Sequence, residues 1–229
     1  GGRGFIALGI LMTISNFATM LSNYAFISWL NVGEGTVTTG LFQAGFTLFN
    51  RYIGLIFTAI SVEFYPRLSS VAKSRRRTSA FVSHELRLVS LILMCALAVF
   101  IPLLPWIVQL LYSEAFMQIV PFVSVAVCGT VLRALSWCMA FTMLARGDGK
   151  AYLATEITSA VLYFALNVLS FKLYGLIGLG YAYIVWYALY TLAVAAVYRY
   201  RYRLWLSPKA LLLNLGVFCI ITVLTLTLI

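Results

Sequence analysis

The chain has 229 residues, 63% of them hydrophobic and 10% charged, with sixteen Lys and Arg against six Asp and Glu and a formal net charge of +10. Its mean hydropathy is +1.00. No soluble domain of this length hides so much apolar surface, so the main solvent must be lipid. The apolar runs are continuous, not ten-residue alternating segments, and this excludes a transmembrane barrel in favour of helices.

A helix needs about 20 residues to cross a hydrocarbon core of about 30 Å. Seven runs meet that length, near 5–31, 40–64, 88–111, 119–145, 151–171, 176–198 and 210–229, and residues 1–229 are expected to form one all-helical transmembrane lobe. The first run carries Ser15, Asn16, Thr19, Ser22 and Asn23. In the second, Gln43, Thr47, Asn50, Arg51, Gly54 and Thr58 recur at three- and four-residue spacing, which puts them on one helix face. Residues 67–87 are expected to be the longest connection, carrying a short basic amphipathic helix with Leu68, Val71 and Ala72 on one side. Pro102 and Pro105 should kink the third run. The fourth holds Gly129, Arg133 and Ser136; a tight turn at Gly147-Asp148-Gly149-Lys150 follows it. Glu156, Ser159, Tyr163, Asn167 and Ser170 stripe the fifth run, and Gly175, Gly178 and Gly180 shape the turn into the sixth.

Basic residues alternate between the two sets of connections. Arg3, Arg67, Lys73, Arg75, Arg76, Arg77, Arg87, Arg146, Lys150, Arg199, Arg201, Arg203 and Lys209 fall on one side, against Lys172 alone on the other. This bias assigns the basic connections and the N-terminus to the cytoplasm, where anionic lipid headgroups are their natural partner. Arg75–Arg77 is therefore a topology signal, not a nucleic-acid site. The chain opens Gly-Gly-Arg and stops at Ile229 within an apolar run, as expected of one half of a larger transporter.

Chemistry for catalysis is sparse, and no enzyme is expected. His84 falls in the basic connection beside Glu85 and Arg87, where a solvated histidine is the simpler reading. The glycine turn at 147–150 departs from the G-x-x-x-x-G-K-[ST] phosphate loop, since Ala151 follows the lysine. Cys95, Cys128, Cys138 and Cys219 all lie within spans without a C-x-x-C pair and act as small apolar residues. No cofactor and no metal ligand set is expected.

Arg51 and Arg133 are the informative charges. A guanidinium near mid-bilayer costs roughly 2.5–3.5 kcal/mol on insertion scales and needs a counter-charge or several acceptors. Glu63 and Glu156 sit close to the cytoplasmic ends of their helices, so no carboxylate is expected at the arginines' depth. Two readings stay open: a structural partner in another helix, or a water-accessible cavity that attracts an anion, with a phosphate or pyrophosphate best matched to the guanidinium fork. On the second reading Arg51, Arg133, Asn50, Gln43, Thr47, Asn16, Asn23 and Asn167 line the cavity. Polar stripes of Ser, Thr and Asn also serve to hold helices together.

Three stretches resemble the polysaccharide and O-antigen flippase (Wzx-type) branch of the multidrug/oligosaccharidyl-lipid/polysaccharide exporter superfamily. They are Gly40-Leu-Phe-Gln-Ala-Gly-Phe46 leading to Glu63-Phe-Tyr-Pro-Arg-Leu-Ser69, then Ile107-Val-Gln-Leu-Leu-Tyr-Ser-Glu-Ala-Phe116, and Ala145-Arg-Gly-Asp-Gly-Lys150 followed by Tyr174-Gly-Leu-Ile-Gly-Leu-Gly-Tyr-Ala182. The resemblance covers nearly the whole chain and is to the C-terminal half of such proteins. It implies one lobe of a MATE-like two-lobed bundle, with the N-terminal lobe of the same protein as its partner. The implied function is alternating-access transfer of an undecaprenyl-pyrophosphate-linked oligosaccharide across the bacterial inner membrane. A peptidoglycan-precursor flippase or a drug exporter of the same superfamily is the alternative. A polysaccharide ligase or polymerase would be a different class, and it would require a large outward loop that these residues do not provide.

Overall fold

The computed structural model describes residues 2–229, with side chains described from residue 4. Arg3, counted above with the basic side, thus has no described side chain. Six helices are long and apolar enough to cross a membrane. They are α1 (Gly2–Val71), α2 (Arg75–Leu111), α3 (Ile119–Ala145), α4 (Gly149–Tyr174), α5 (Leu176–Ala196) and α6 (Pro208–Leu228). A 3-10 turn, Glu114–Gln118, precedes α3, and a π-helical stretch, Val197–Arg201, extends α5.

α1 is two arms. Gly35 has φ 85° and ψ −179°, a conformation that a residue with a Cβ rarely adopts, and it breaks the helix there. The Phe26 and Phe42 rings lie 5.0 Å apart, whereas sixteen residues of straight helix would separate them by about 24 Å. The chain therefore folds back on itself at Gly35. Both far ends reach the same end of the bundle: a Cβ on Gly149 would touch Leu11, and the Phe64 ring lies 5.6 Å from that of Phe141.

The expected long connection at 67–87 is absent. α1 runs through Pro66 to Val71, and α2 begins at Arg75. The reason is local: the Ser74 hydroxyl caps α2 by accepting from the Arg77 amide, and the Thr78 hydroxyl donates back to the Val71 carbonyl. The basic residues of this region sit on the exposed face of α2's first turns, with His84 among them. Pro102 and Pro105 lie within one continuous α2.

α3 is the central pillar, buried along most of its length, and it packs against each of the other five helices. Small residues let α5 approach it closely. A Cβ at Gly180 would lie 2.8 Å from the Phe122 carbonyl oxygen and 2.9 Å from Val125 Cβ, and one at Gly129 would lie 2.6 Å from the Tyr183 ring. Polar groups tie α6 to the opposite side: Asn214 Nδ2 donates to Ser90 Oγ of α2 at 2.9 Å and to the Val131 carbonyl of α3 at 3.1 Å.

These contacts predict an asymmetry between two glycine substitutions. Gly180→Ala forces α3 and α5 apart and should cost about 1–3 kcal/mol. Gly216→Ala, with nothing within 4 Å of its Cβ, should be neutral or slightly stabilising. SDS-titrated unfolding of the full-length protein in detergent measures both, and equal effects would contradict the close approach.

Candidate functional site

Arg133 projects from mid-α3 into the cleft bounded by α1, α4 and α5. Its Nη1 donates to Asn50 Oδ1 at 2.9 Å, and its guanidinium carbon lies 4.8 Å from the centroid of the Phe57 ring. Both partners are neutral, and among the described residues Arg133 takes part in no ion pair. Its positive charge is therefore only partly compensated.

Two cavities of about 300 and 200 Å³ flank this guanidinium and share Thr19, Ser159, Trp186 and Tyr187 in their walls. At about 30 Å³ per water molecule, either holds several. The smaller adds Ser22, Asn23, Asn50 and Tyr163, and the larger adds Tyr152, Glu156 and Tyr190. The walls are anchored by hydrogen bonds between helices. Tyr163 donates its hydroxyl to Asn23 Oδ1 at 2.7 Å, Ser22 donates to the Ala160 carbonyl at 2.5 Å, and Trp186 Nε1 donates to Ser159 Oγ at 2.9 Å.

Glu156, although offset from Arg133 in depth, opens onto the same cleft. It lines the larger cavity with Arg133, and the Tyr190 hydroxyl donates to its Oε1. Helix geometry explains the meeting. Glu156 is seven residues into α4 and Arg133 twelve from the end of α3, so about 8 Å of axial rise separates them. The cavity spans that offset, with both side chains in its wall. Tyr152, Trp186, Tyr187 and Tyr190, not singled out in the sequence, complete the wall. Their aromatic character resembled ordinary membrane-helix filling, and only the packing of α4 against α5 sets them together.

The eight candidate residues separate into groups. Arg133, Asn50 and Asn23 come together around the cavities. Gln43, Thr47 and Arg51 lie on an exposed stripe of α1's second arm, and Arg51 lines neither cavity. Consecutive helical residues differ by about 100° in direction, so Asn50 turns inward while Arg51 turns out. Asn16 is exposed on the first arm, outside both cavity walls. Asn167 is buried and spends its amide on the Tyr163 carbonyl at 2.8 Å, a bond within α4. Among the described residues, no group of three or more His, Cys, Asp or Glu converges to hold a metal ion.

A second polar cluster closes the basic end. Gly147, at φ 68°, makes the turn from α3, and Asp148 caps α4 by accepting from the Ala151 amide at 3.2 Å. Asp148 Oδ2 also accepts from Arg201 Nε at 2.6 Å and from the Tyr202 hydroxyl at 2.7 Å. Partial burial pushes the Asp148 carboxyl up, but the bonds from Arg201, Tyr202 and the Ala151 amide, with the Arg201 charge, outweigh it and hold it below its ordinary value. Burial and the neighbouring Asp148 raise the Tyr202 hydroxyl.

A carboxyl depressed in the folded state contributes stability above its unfolded value of about 3.9, and this is lost as pH falls through the folded value. The stability difference between wild type and Asp148→Asn should thus be flat near neutrality and shrink progressively as pH falls below about 4. Asn keeps the cap; Asp148→Ala should cost about 1 kcal/mol more. Unfolding midpoints measured across pH 3–7 would check the sign, and a difference that grows in acid would overturn it.

No family model and no curated protein matches the sequence. Among solved structures, the chain is similar to a multidrug resistance MATE family transporter of the MOP superfamily in its outward-facing conformation. The TM-score is 0.71 at 18% sequence identity, over 98% of this chain and 52% of that one. The chain thus spans about half the length of the transporter it matches, and at this identity the likeness is one of fold. The all-helical bundle of apolar helices is a multi-pass membrane fold, and its architecture is that of one lobe of a MATE-like transporter.

Proposed function

We propose that the chain is the C-terminal lobe of an alternating-access transporter and that the cargo is a lipid-pyrophosphate-linked oligosaccharide. In this reading the two arms of α1 and the five remaining helices make seven crossings of a bacterial inner membrane, with the N-terminus cytoplasmic. The partner is the N-terminal lobe of the same protein. The observation that carries the reading is Arg133, a guanidinium set in a membrane-spanning lobe with only neutral partners and beside two cavities. Positive charge only partly compensated there favours an anionic headgroup over a cationic drug. The exposed stripe of Gln43, Thr47 and Arg51 supplies a polar surface for the facing lobe or for the sugars.

Glu156 favours a second reading, in which this lobe exchanges a proton or cation for an exported drug. The two readings differ in which substitution matters. For the oligosaccharide cargo, Arg133→Ala in the full-length protein should cut surface polysaccharide by about tenfold or more, the worth of one charge-assisted bond, while Glu156→Gln leaves most of it. Arg133→Lys should rescue in part, because a point charge replaces the fork. The checks are polysaccharide display and drug tolerance in cells, with membrane protein levels matched. Normal display with Arg133→Ala, or loss of drug tolerance alone with Glu156→Gln, would overturn the oligosaccharide assignment.

A further inference from the structure

At the basic end, the first three turns of α2 and the segment before α6 enclose a recess of about 330 Å³. Arg76 and Arg87 flank it, Ser79, Ser83 and Ser207 line it, and Trp205, 47% exposed, forms its rim. Neither arginine is in an ion pair among the described residues, and no carboxylate lines the recess. The two α2 serines are all but fully buried, at 1% and 3% exposure. Their oxygens accept from the Trp205 and Ser207 amides at 3.2 and 2.9 Å, which ties the connector to α2 and forms the floor of the recess. Arg76 and Arg87 thus stand on one face of α2, about 16 Å apart along its axis, with the buried serines between them on the recess wall.

The same helix continues with a different surface. Leu88, Leu91, Ile92, Cys95 and Val99 line an open, almost wholly apolar groove that begins at the residue after Arg87 and descends an adjoining face. A charged recess at the end of an apolar helix, with an indole at its rim, lies at interfacial depth. This shallow apolar strip, formed by α2 alone, gives an acyl chain a surface to lie along.

We propose that this recess and groove form a binding site for an anionic phospholipid, with the headgroup phosphate between Arg76 and Arg87 and an acyl chain along Leu88–Val99. The recess recognises a phosphate ester as such, and the groove selects the lipid-borne form over a free one. The site lies outside the Arg133 cavities and does not depend on which cargo the lobe carries.

The test uses the full-length protein in nanodiscs of phosphatidylcholine with a minor share of phosphatidylglycerol, and native mass spectrometry to count retained phosphatidylglycerol. A basic residue at an anionic surface is worth a factor of about five. Arg76→Gln with Arg87→Gln should therefore lower retention by more than about tenfold, while Arg199→Gln, which does not line the recess, lowers it by about fivefold at most. Alkylation of Cys95 by a membrane-soluble maleimide, followed peptide by peptide, should slow when phosphatidylglycerol is present, and this arm needs no variant. Unchanged retention in the double variant, or Cys95 labelling indifferent to the lipid, would overturn the proposal. Displacement of the lipid by millimolar inorganic phosphate would overturn the lipid assignment in favour of a free phosphate.

Discussion

Inside a bilayer no water is available to satisfy a backbone or side-chain polar group, and every feature of this lobe answers to that constraint. The backbone meets it by remaining helical through all but the connections. Serine and threonine meet it by bonding back to their own helix, as Thr39, Thr155 and Thr225 do. Asn214 meets it in part across helices, with its amide nitrogen shared between Ser90 and Val131 and its buried Oδ1 left without a partner. At Arg133 the constraint is met sparingly for a charge: one amide oxygen and one aromatic face attend the guanidinium. Cavity space on both sides of it is the physical counterpart of that shortfall.

The division of the lobe follows from where close packing is possible. α3 touches α5 through Gly129 and Gly180, so this pair forms a tight seam. α6 and α2 close on the far side of α3 through Ser90 and Asn214, and the connector ties Trp205 and Ser207 to Ser79 and Ser83. On the near side, α1's first arm and α4 meet α3 and α5 with bulky aromatics and a sparse set of polar contacts. Rings of Phe26, Phe46, Tyr163 and Trp186 fill that space edge to face, and the cavities lie where those rings stop short of Arg133. The polar cleft is thus a consequence of a tight seam beside a loose one.

Particular residues show how far the sequence was legible. Hydropathy placed α3 to α6 to within a few residues, because a long apolar run has one way to satisfy its backbone in lipid. The 67–87 region was misread as a connection, since its charge suppresses the hydropathy signal even though Ser74 supplies a helix cap. Gly147-Asp148-Gly149 was legible as a turn, yet not as the point where Arg201 and Tyr202 arrive from more than fifty residues away. Arg51 and Arg133 looked equivalent by depth, and the helix rotation that buries Asn50 separates them.

A multi-pass helical bundle with its basic residues gathered at one end follows from the amino-acid order, because the cost of unsatisfied backbone and of charge in lipid acts on each segment independently. Tertiary structure alone decided that Arg133 and Glu156 face one cavity, that Gly35 folds two arms together, and that the serines of α2 line a basic recess. Those arrangements depend on the relative rotation and axial offset of different helices. Such quantities are set by where small residues permit close approach, and side-chain periodicity within one helix carries no record of them.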